Sequence, residues 1–300
     1  MESQVVLGVD IGGSHITATL VDLEPGMPIK SSEVREAVNA KGSSNEIISL
    51  WANVIKRAFA NQNINIGKIG IAMPGPFDYN AGIAWMKNQD KYDSLYGLNI
   101  KNLLADSLQI SPNSIRFLND AESFLKGEAF SGAAKGATKA IGLTLGTGLG
   151  SARYNKGSVE DADLWHSPFL DGIAEDYLST RWFVSRYLEL TGKTVSGVKE
   201  LSLLANDESI ALEIFAEFGF HLALFLNETI RKDEPEVIVL GGNIAHAFPL
   251  FTDELNRQLH KLSNHIPPIK KAALGEEASL IGAASCWANV KEEILEYIQA

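Results

Sequence analysis

The chain has 300 residues, enough for two domains of ordinary size, and its 45% hydrophobic content supports substantial cores. Its 26 Lys and Arg stand against 37 Asp and Glu, a formal charge of −11 with no dense basic run, so a nucleic-acid partner is not expected. A single cysteine, Cys286, excludes an internal disulfide and a multi-cysteine zinc centre.

The chain opens directly into a strand pattern, which speaks against a signal peptide. Val5–Ile11 reads as a buried strand, Gly12-Gly13 as a turn whose glycines permit positive φ, and His15–Asp22 as the returning strand of a hairpin. Glu24–Pro28 is a second turn. Ser43 and Glu46 have capping-box spacing ahead of a helix with Ile47, Leu50, Trp51, Val54, Ile55 and Phe59 on one face. Ile69–Met73 is a short strand stopped by Pro74-Gly75-Pro76, and Asn80–Tyr96 is a long aperiodic connection of the kind that often carries function. Ile115–Leu118 is a buried strand. From Asn119-Asp120 onward the spacing of Ala121, Phe124, Leu125 and Ala129 predicts a helix.

Ala140–Leu145 and Gly150–Tyr154 repeat the opening design of strand, glycine turn and strand, a weak internal symmetry about one domain apart. Lys156–Gly172 is irregular, and Ile173–Leu190 reads as one helix. Glu208–Arg231 is a long helix that is apolar on most sides. Within it, Phe218–Leu226 is too short and too interrupted by His221 to predict a membrane span, and a cytoplasmic location is expected. Val237–Leu240 is a buried strand ending at Gly241-Gly242-Asn243, followed by a helix to about Lys261. Ile269–Leu274 is a strand, and Glu276–Gln299 a final helix.

Asp120 sits where a strand ends and a helix begins, the place where open α/β sheets face a ligand. Read alone, it is more readily a helix N-cap, as Asp often is, than a general base. Its neighbours in sequence favour the base. Gly-rich turns at Asp10–Ser14 and Leu145–Gly150 can cradle phosphate with successive N–H groups, Asp10 can hold Mg²⁺ through water, and Ser14, Thr144 and Thr147 can add hydroxyls. A third turn at Gly241-Gly242 suits a nucleotide's α-phosphate or ribose. No P-loop motif is present, and the dinucleotide fingerprint fails because Ser151 follows Gly146, Gly148 and Gly150.

These motifs in this order, namely Asp10-Ile11-Gly12-Gly13-Ser14, Pro74-Gly75-Pro76, Asn119-Asp120-Ala121, Leu145–Gly150 and Leu240-Gly241-Gly242, resemble the ROK family of sugar kinases within the actin-like ATPase superfamily. The resemblance runs from Val5 to about Ala284. It implies an α/β, two-domain actin-like ATPase (ribonuclease H-like) fold with an interdomain cleft, divided as 1–117 plus 287–300 and 118–286. It implies ATP and Mg²⁺, a catalytic base at Asp120, and sugar ligands at Asn88, Asn119, Asp120, Asp163, His166 and Glu175. Nucleotide contacts would come from Asp10, Gly12, Gly13, Ser14, Thr144, Gly146, Thr147, Gly148, Gly241, Gly242 and Asn243.

Glucose is the first acceptor that the resemblance suggests. The other readings are a kinase for N-acetylmannosamine, fructose or allose, a polyphosphate-dependent glucokinase, and a non-catalytic sugar-binding regulator. A homodimer is expected from the family. Three departures stand out: there are no cysteines for the family's structural zinc, Asp163 replaces a Glu, and His15 replaces a Lys.

Overall fold

The computed structural model describes residues 4–88 and 91–288. They form two compact units, 4–132 with 276–288 and 133–275. Each has its own hydrophobic core.

Unit 1 runs β1 (Val5–Ile11), β2 (His15–Asp22), β3 (Met27–Pro28), β4 (Val34–Ala37), α1 (Ser44–Ala60), β5 (Ile69–Met73), β6 (Phe77–Asp78), β7 (Ile83–Ala84), α2 (Ile100–Leu108), β8 (Ile115–Asn119) and α3 (Asp120–Ser131). Its main sheet has the order β3-β2-β1-β5-β8, with β4 also pairing β2. The β1–β2 pair is antiparallel, while β1, β5 and β8 run parallel. The expected capping box forms at α1. Ser43 Oγ accepts from the Glu46 N–H, and the Glu46 carboxylate accepts from the Ser43 N–H at 2.8 Å.

Unit 2 runs β9 (Lys139–Leu145), β10 (Leu149–Asn155), β11 (Ser158–Asp161), β12 (Pro168–Phe169), β13 (Gly172–Ile173), α4 (Ala174–Tyr177), α5 (Thr180–Thr191), α6 (Val198–Leu204), α7 (Ser209–Asp233), β14 (Val237–Gly241), α8 (Phe248–Leu262) and β15 (Ile269–Lys271). Its sheet order, β11-β10-β9-β14-β15, repeats that of unit 1: three antiparallel strands, then two parallel ones. The weak sequence symmetry therefore marks a duplicated topology.

Helix α7 is 25 residues long and apolar enough by length and composition to cross a membrane. Phe215, Phe218, Leu222 and Leu226 instead fill the core of unit 2. That core also explains why the helix reads as apolar on most sides.

The last described helix, α9 (Glu277–Ser285), belongs to unit 1. It lies so close to the sheet and to α3 that a Cβ on Gly70 would overlap the Ala283 carbonyl, and one on Gly127 the Ala278 carbonyl. Trp287 seals this packing. Its indole N–H donates to the Ile69 carbonyl at 3.1 Å, and the Arg116 guanidinium lies 4.2 Å from the ring centre.

This close packing moves the expected domain division. The units part at 132/133 and 275/276, rather than at 117/118 and 286/287, because α3 and α9 form one layer with the first sheet. The expected final helix ends at Ser285, and 289–300 lie outside the described residues. Helix α2 and strands β4 and β11 had no clear sequence signal, and the helix expected over Ile173–Leu190 is broken between α4 and α5.

Candidate active site

In unit 1 the first glycine turn joins β1 to β2 and is closed by the Gly12 N–H donating to the His15 carbonyl at 2.9 Å. Neither Gly12 nor Gly13 uses positive φ, contrary to the expectation, and neither do Gly146 and Gly148. Their lack of side chains matters for space instead. A Cβ at Gly12 would meet only the His15 carbonyl at 3.6 Å, and one at Gly146 would meet nothing within 4 Å, so a ligand can approach the backbone itself. Ser14 Oγ and His15 Nδ1 stand 2.9 Å apart on the exposed side of the turn.

Asp10 ends up half-buried just ahead of this turn. Burial, and next the Asp120 carboxylate, push its carboxyl up to about 6; Arg35 opposes the shift and Glu276 adds to it. A carboxylate whose charge is penalised in this way fits a cation. Among the described residues no group of three or more His, Cys, Asp and Glu gathers to hold one. A magnesium ion here would therefore take Asp10 plus water and phosphate oxygens, the usual preference of that ion.

Asp120 is the first residue of α3 and is exposed. The N-cap is Asn119, not Asp120. Its Oδ1 accepts from the Ala121 N–H at 2.8 Å, and Glu122 reaches back to the Asn119 N–H at 3.4 Å. Asp120 Oδ1 also accepts from the Ala121 N–H, at 2.8 Å. The Asn119 amide is fixed at its other end by Tyr79, to whose hydroxyl it donates at 3.0 Å; that hydroxyl donates to the Met73 carbonyl at 3.1 Å. Asn88 is exposed and left-handed, with φ of 60°.

In unit 2 the second glycine turn has a different scaffold. Glu175, at the start of α4, turns its carboxylate onto the turn, where it accepts from the Leu149 N–H at 3.0 Å and pairs with Arg181 at 2.8 Å. A Cβ on Gly148 would sit 2.6 Å from that carboxylate. Thr180 donates both its N–H (2.8 Å) and its hydroxyl (2.9 Å) to the Gly146 carbonyl. These bonds give the physical reason for the break between α4 and α5, because Thr180 begins a new helix while gripping the turn.

Asp163 and His166 pair through Oδ1 and Nδ1 at 3.2 Å. Asp163 is left-handed, with φ of 51°, and its N–H donates to Asp161 Oδ1 at 2.8 Å. The buried Ser151, which had only counted against a dinucleotide motif, ties this loop to β10 by accepting the Leu164 N–H at 3.0 Å. The Glu175 N–H donates to the Trp165 carbonyl at 3.0 Å, which ties the loop carrying Asp163 and His166 to the start of α4.

The third turn shows strict need for glycine at Gly242, where φ is 81° and a Cβ would overlap the Leu145 carbonyl. Gly241 ends β14 in register with Thr144 of β9. Asn243 then opens a single 3₁₀ turn before α8. With Thr147, Thr180, Ser196, Lys199 and His246 it lines a cavity of about 650 Å³. The 196–202 segment gave no sequence signal. Tyr79, Tyr92, Thr180 and Arg181 were also missed, since nothing periodic marks a residue that acts on a distant backbone group.

The ROK family model matches residues 6–159 and 171–290. An N-acetyl-D-glucosamine kinase from Mannheimia succiniciproducens is 24% identical over 314 residues, covering 94% of this chain and 98% of that protein. A ROK hexokinase from Thermus thermophilus superposes with a TM-score of 0.78 at 22% identity, covering 96% of this chain and 100% of its own. A ROK glucokinase from Streptomyces griseus, solved with glucose and AMPPNP, gives 0.73 at 21% identity, covering 94% and 99%. With the model matched over nearly the whole length and this two-unit architecture shared, the chain belongs to the ROK family and has the two-domain actin-like ATPase fold.

Proposed function

We propose that the chain is an ATP-dependent sugar kinase that transfers the γ-phosphoryl group to a primary hydroxyl, with N-acetyl-D-glucosamine as first acceptor and glucose as second. The observation that carries this is Asp120. It is an exposed carboxylate at a strand-to-helix junction whose N-cap is a different residue, Asn119. In this reading Asp120 accepts the hydroxyl proton as the oxygen attacks the γ-phosphorus, and the bond from that phosphorus to the β–γ bridging oxygen breaks to release ADP. Asn88, Asn119, Asp163, His166 and Glu175 contact the other hydroxyls. The first and second glycine turns donate N–H groups to the phosphates, and Gly241, Gly242 and Asn243 border the nucleoside. Magnesium bound beside Asp10 would neutralise charge on the β- and γ-phosphates.

The glucose preference expected from the sequence moves to second place because curated relatives over nearly the full length are named N-acetyl-D-glucosamine kinases. Product formation with Mg-ATP across N-acetyl-D-glucosamine, glucose, N-acetylmannosamine, fructose and allose tests the proposal, and repeating the panel with polyphosphate tests the donor. Highest kcat/KM for N-acetyl-D-glucosamine with ATP is the expected result. Turnover only with polyphosphate would reassign the donor, and a lack of turnover with every sugar and both donors would replace the kinase by a sugar-binding protein.

A further inference from the structure

The first glycine turn has a cationic neighbour that no motif announces. The stem of Lys91 lies over Gly13: a Cβ on Gly13 would meet Lys91 Cδ at 3.8 Å and nothing else within 4 Å. The ammonium is two bonds further along, within reach of anything that docks on the turn. We propose that Lys91 contacts the terminal phosphates of the nucleotide donor at the Gly12-Gly13 turn, a role that rests on the kinase reading above.

Tyr92 holds this lysine in place. Its hydroxyl donates to the Gly12 carbonyl at 2.6 Å, its N–H donates to the Ala40 carbonyl at 2.7 Å, and its buried ring packs edge-on to Trp51 with centres 5.4 Å apart. Tyr92 is also left-handed, with φ of 60°, a conformation that a bulky residue keeps only when its surroundings fix it. The residue before it therefore leaves the loop in a defined direction, over the turn.

The same hydrogen bond orients the turn. In a trans peptide the carbonyl of one residue and the N–H of the next point to opposite edges. With the Gly12 carbonyl held by Tyr92, the Gly13 N–H faces away from it, and among the described residues nothing accepts from that N–H. The turn thus offers a backbone donor with a lysine alongside.

Charge gives the pairing its purpose. Asp10 just ahead of the turn and Asp120 at the start of α3 are both carboxylates, and negative charge there opposes an incoming polyanion. The Arg35 guanidinium is committed to Glu276 at 2.8 Å. Lys91 has no ion-pair or hydrogen-bond partner among the described residues, so its charge is available to a phosphate.

Calorimetric titration of the full chain with Mg-AMPPNP and with AMP, using wild type, Lys91→Met and Lys91→Arg, tests this. Lys91→Met should weaken AMPPNP binding about tenfold, as loss of one charge-assisted contact does, leave AMP and the sugar KM unchanged, and be largely rescued by Lys91→Arg. AMPPNP binding by Lys91→Met equal to wild type would overturn the assignment, and so would equal weakening of AMPPNP and AMP, which signals a general defect. A wild type that phosphorylates no sugar but binds AMPPNP in a Lys91-dependent way would sink the kinase reading and leave Lys91 standing.

Discussion

The two glycine hairpins sit at corresponding places in sheets of the same strand order, yet they are braced differently. The first is held from behind by the Tyr92 hydroxyl, with Asp10 and Asp120 around it. The second is held by Thr180 on its Gly146 carbonyl and by the Glu175 carboxylate on its Leu149 N–H. One topology is therefore braced in two ways, which the proposed kinase would use differently. Unit 1 gathers the carboxylates suited to a base and a metal ion, whereas unit 2 spends its carboxylate on shaping the turn and its loop on the Asp163–His166 pair.

The sharpest way to break this contrast is Asp120→Asn. Turnover should fall by about 10²–10⁴, the usual worth of a general base, while sugar binding by calorimetry stays near wild type. A variant retaining more than about a tenth of wild-type kcat would remove the base from Asp120 and the chemistry from unit 1.

Asp10→Asn comes next and should separate activity from stability. Burial, and next the Asp120 carboxylate, push the native carboxyl from an ordinary 3.8 up to about 6. A raised carboxyl means that the folded protein holds the proton more tightly than the unfolded chain. Stability contributed by Asp10 is therefore lost as pH rises through that window and stays low above it. Without metal at pH 7 the Asn variant should be more stable, by on the order of 2 kcal/mol, with the difference vanishing near pH 4. It should also lose Mg-dependent turnover. The wild-type kcat/KM profile for Mg-ATP should fall on the acid side with a midpoint near 6, and a profile flat down to pH 5 would exclude Asp10 as the metal ligand.

Glu175→Gln probes the other turn. The amide can still accept from Leu149 but loses the ion pair with Arg181, and a sugar KM raised about tenfold with a smaller change in kcat is expected. An effect on kcat as large as that of Asp120→Asn would erase the division between the units. Tyr92→Phe should be mildest. Losing one hydrogen bond to the Gly12 carbonyl is worth about 1 kcal/mol, read as a few-fold lower kcat/KM for ATP with the sugar KM unchanged. A shift in the sugar KM alone would mean that Tyr92 serves the loop rather than the turn.

The strands that carry the motifs were legible because apolar runs ending at glycine or proline are local signals. β1, β5, β9 and β14 all appear where those runs stand. The Asp120 junction was legible for the same reason, although its cap proved to be the neighbouring Asn119. The break after α4 was not, since Ile173–Leu190 has one helical period and the interruption serves a carbonyl 34 residues upstream, on Gly146. Nor was α2, whose nine residues follow an aperiodic loop.

The sequence by itself determined the two repeated strand–turn–strand designs, the order of the glycine turns and the acid at a strand end. Each depends on neighbours along the chain. Tertiary structure decided which unit owns α3 and α9, because that depends on backbone-to-backbone packing at Gly70 and Gly127. It also decided what braces each turn. The hydroxyl of Tyr92 lies 80 residues from the carbonyl that it holds, and a contact of that separation leaves no pattern in the residues between.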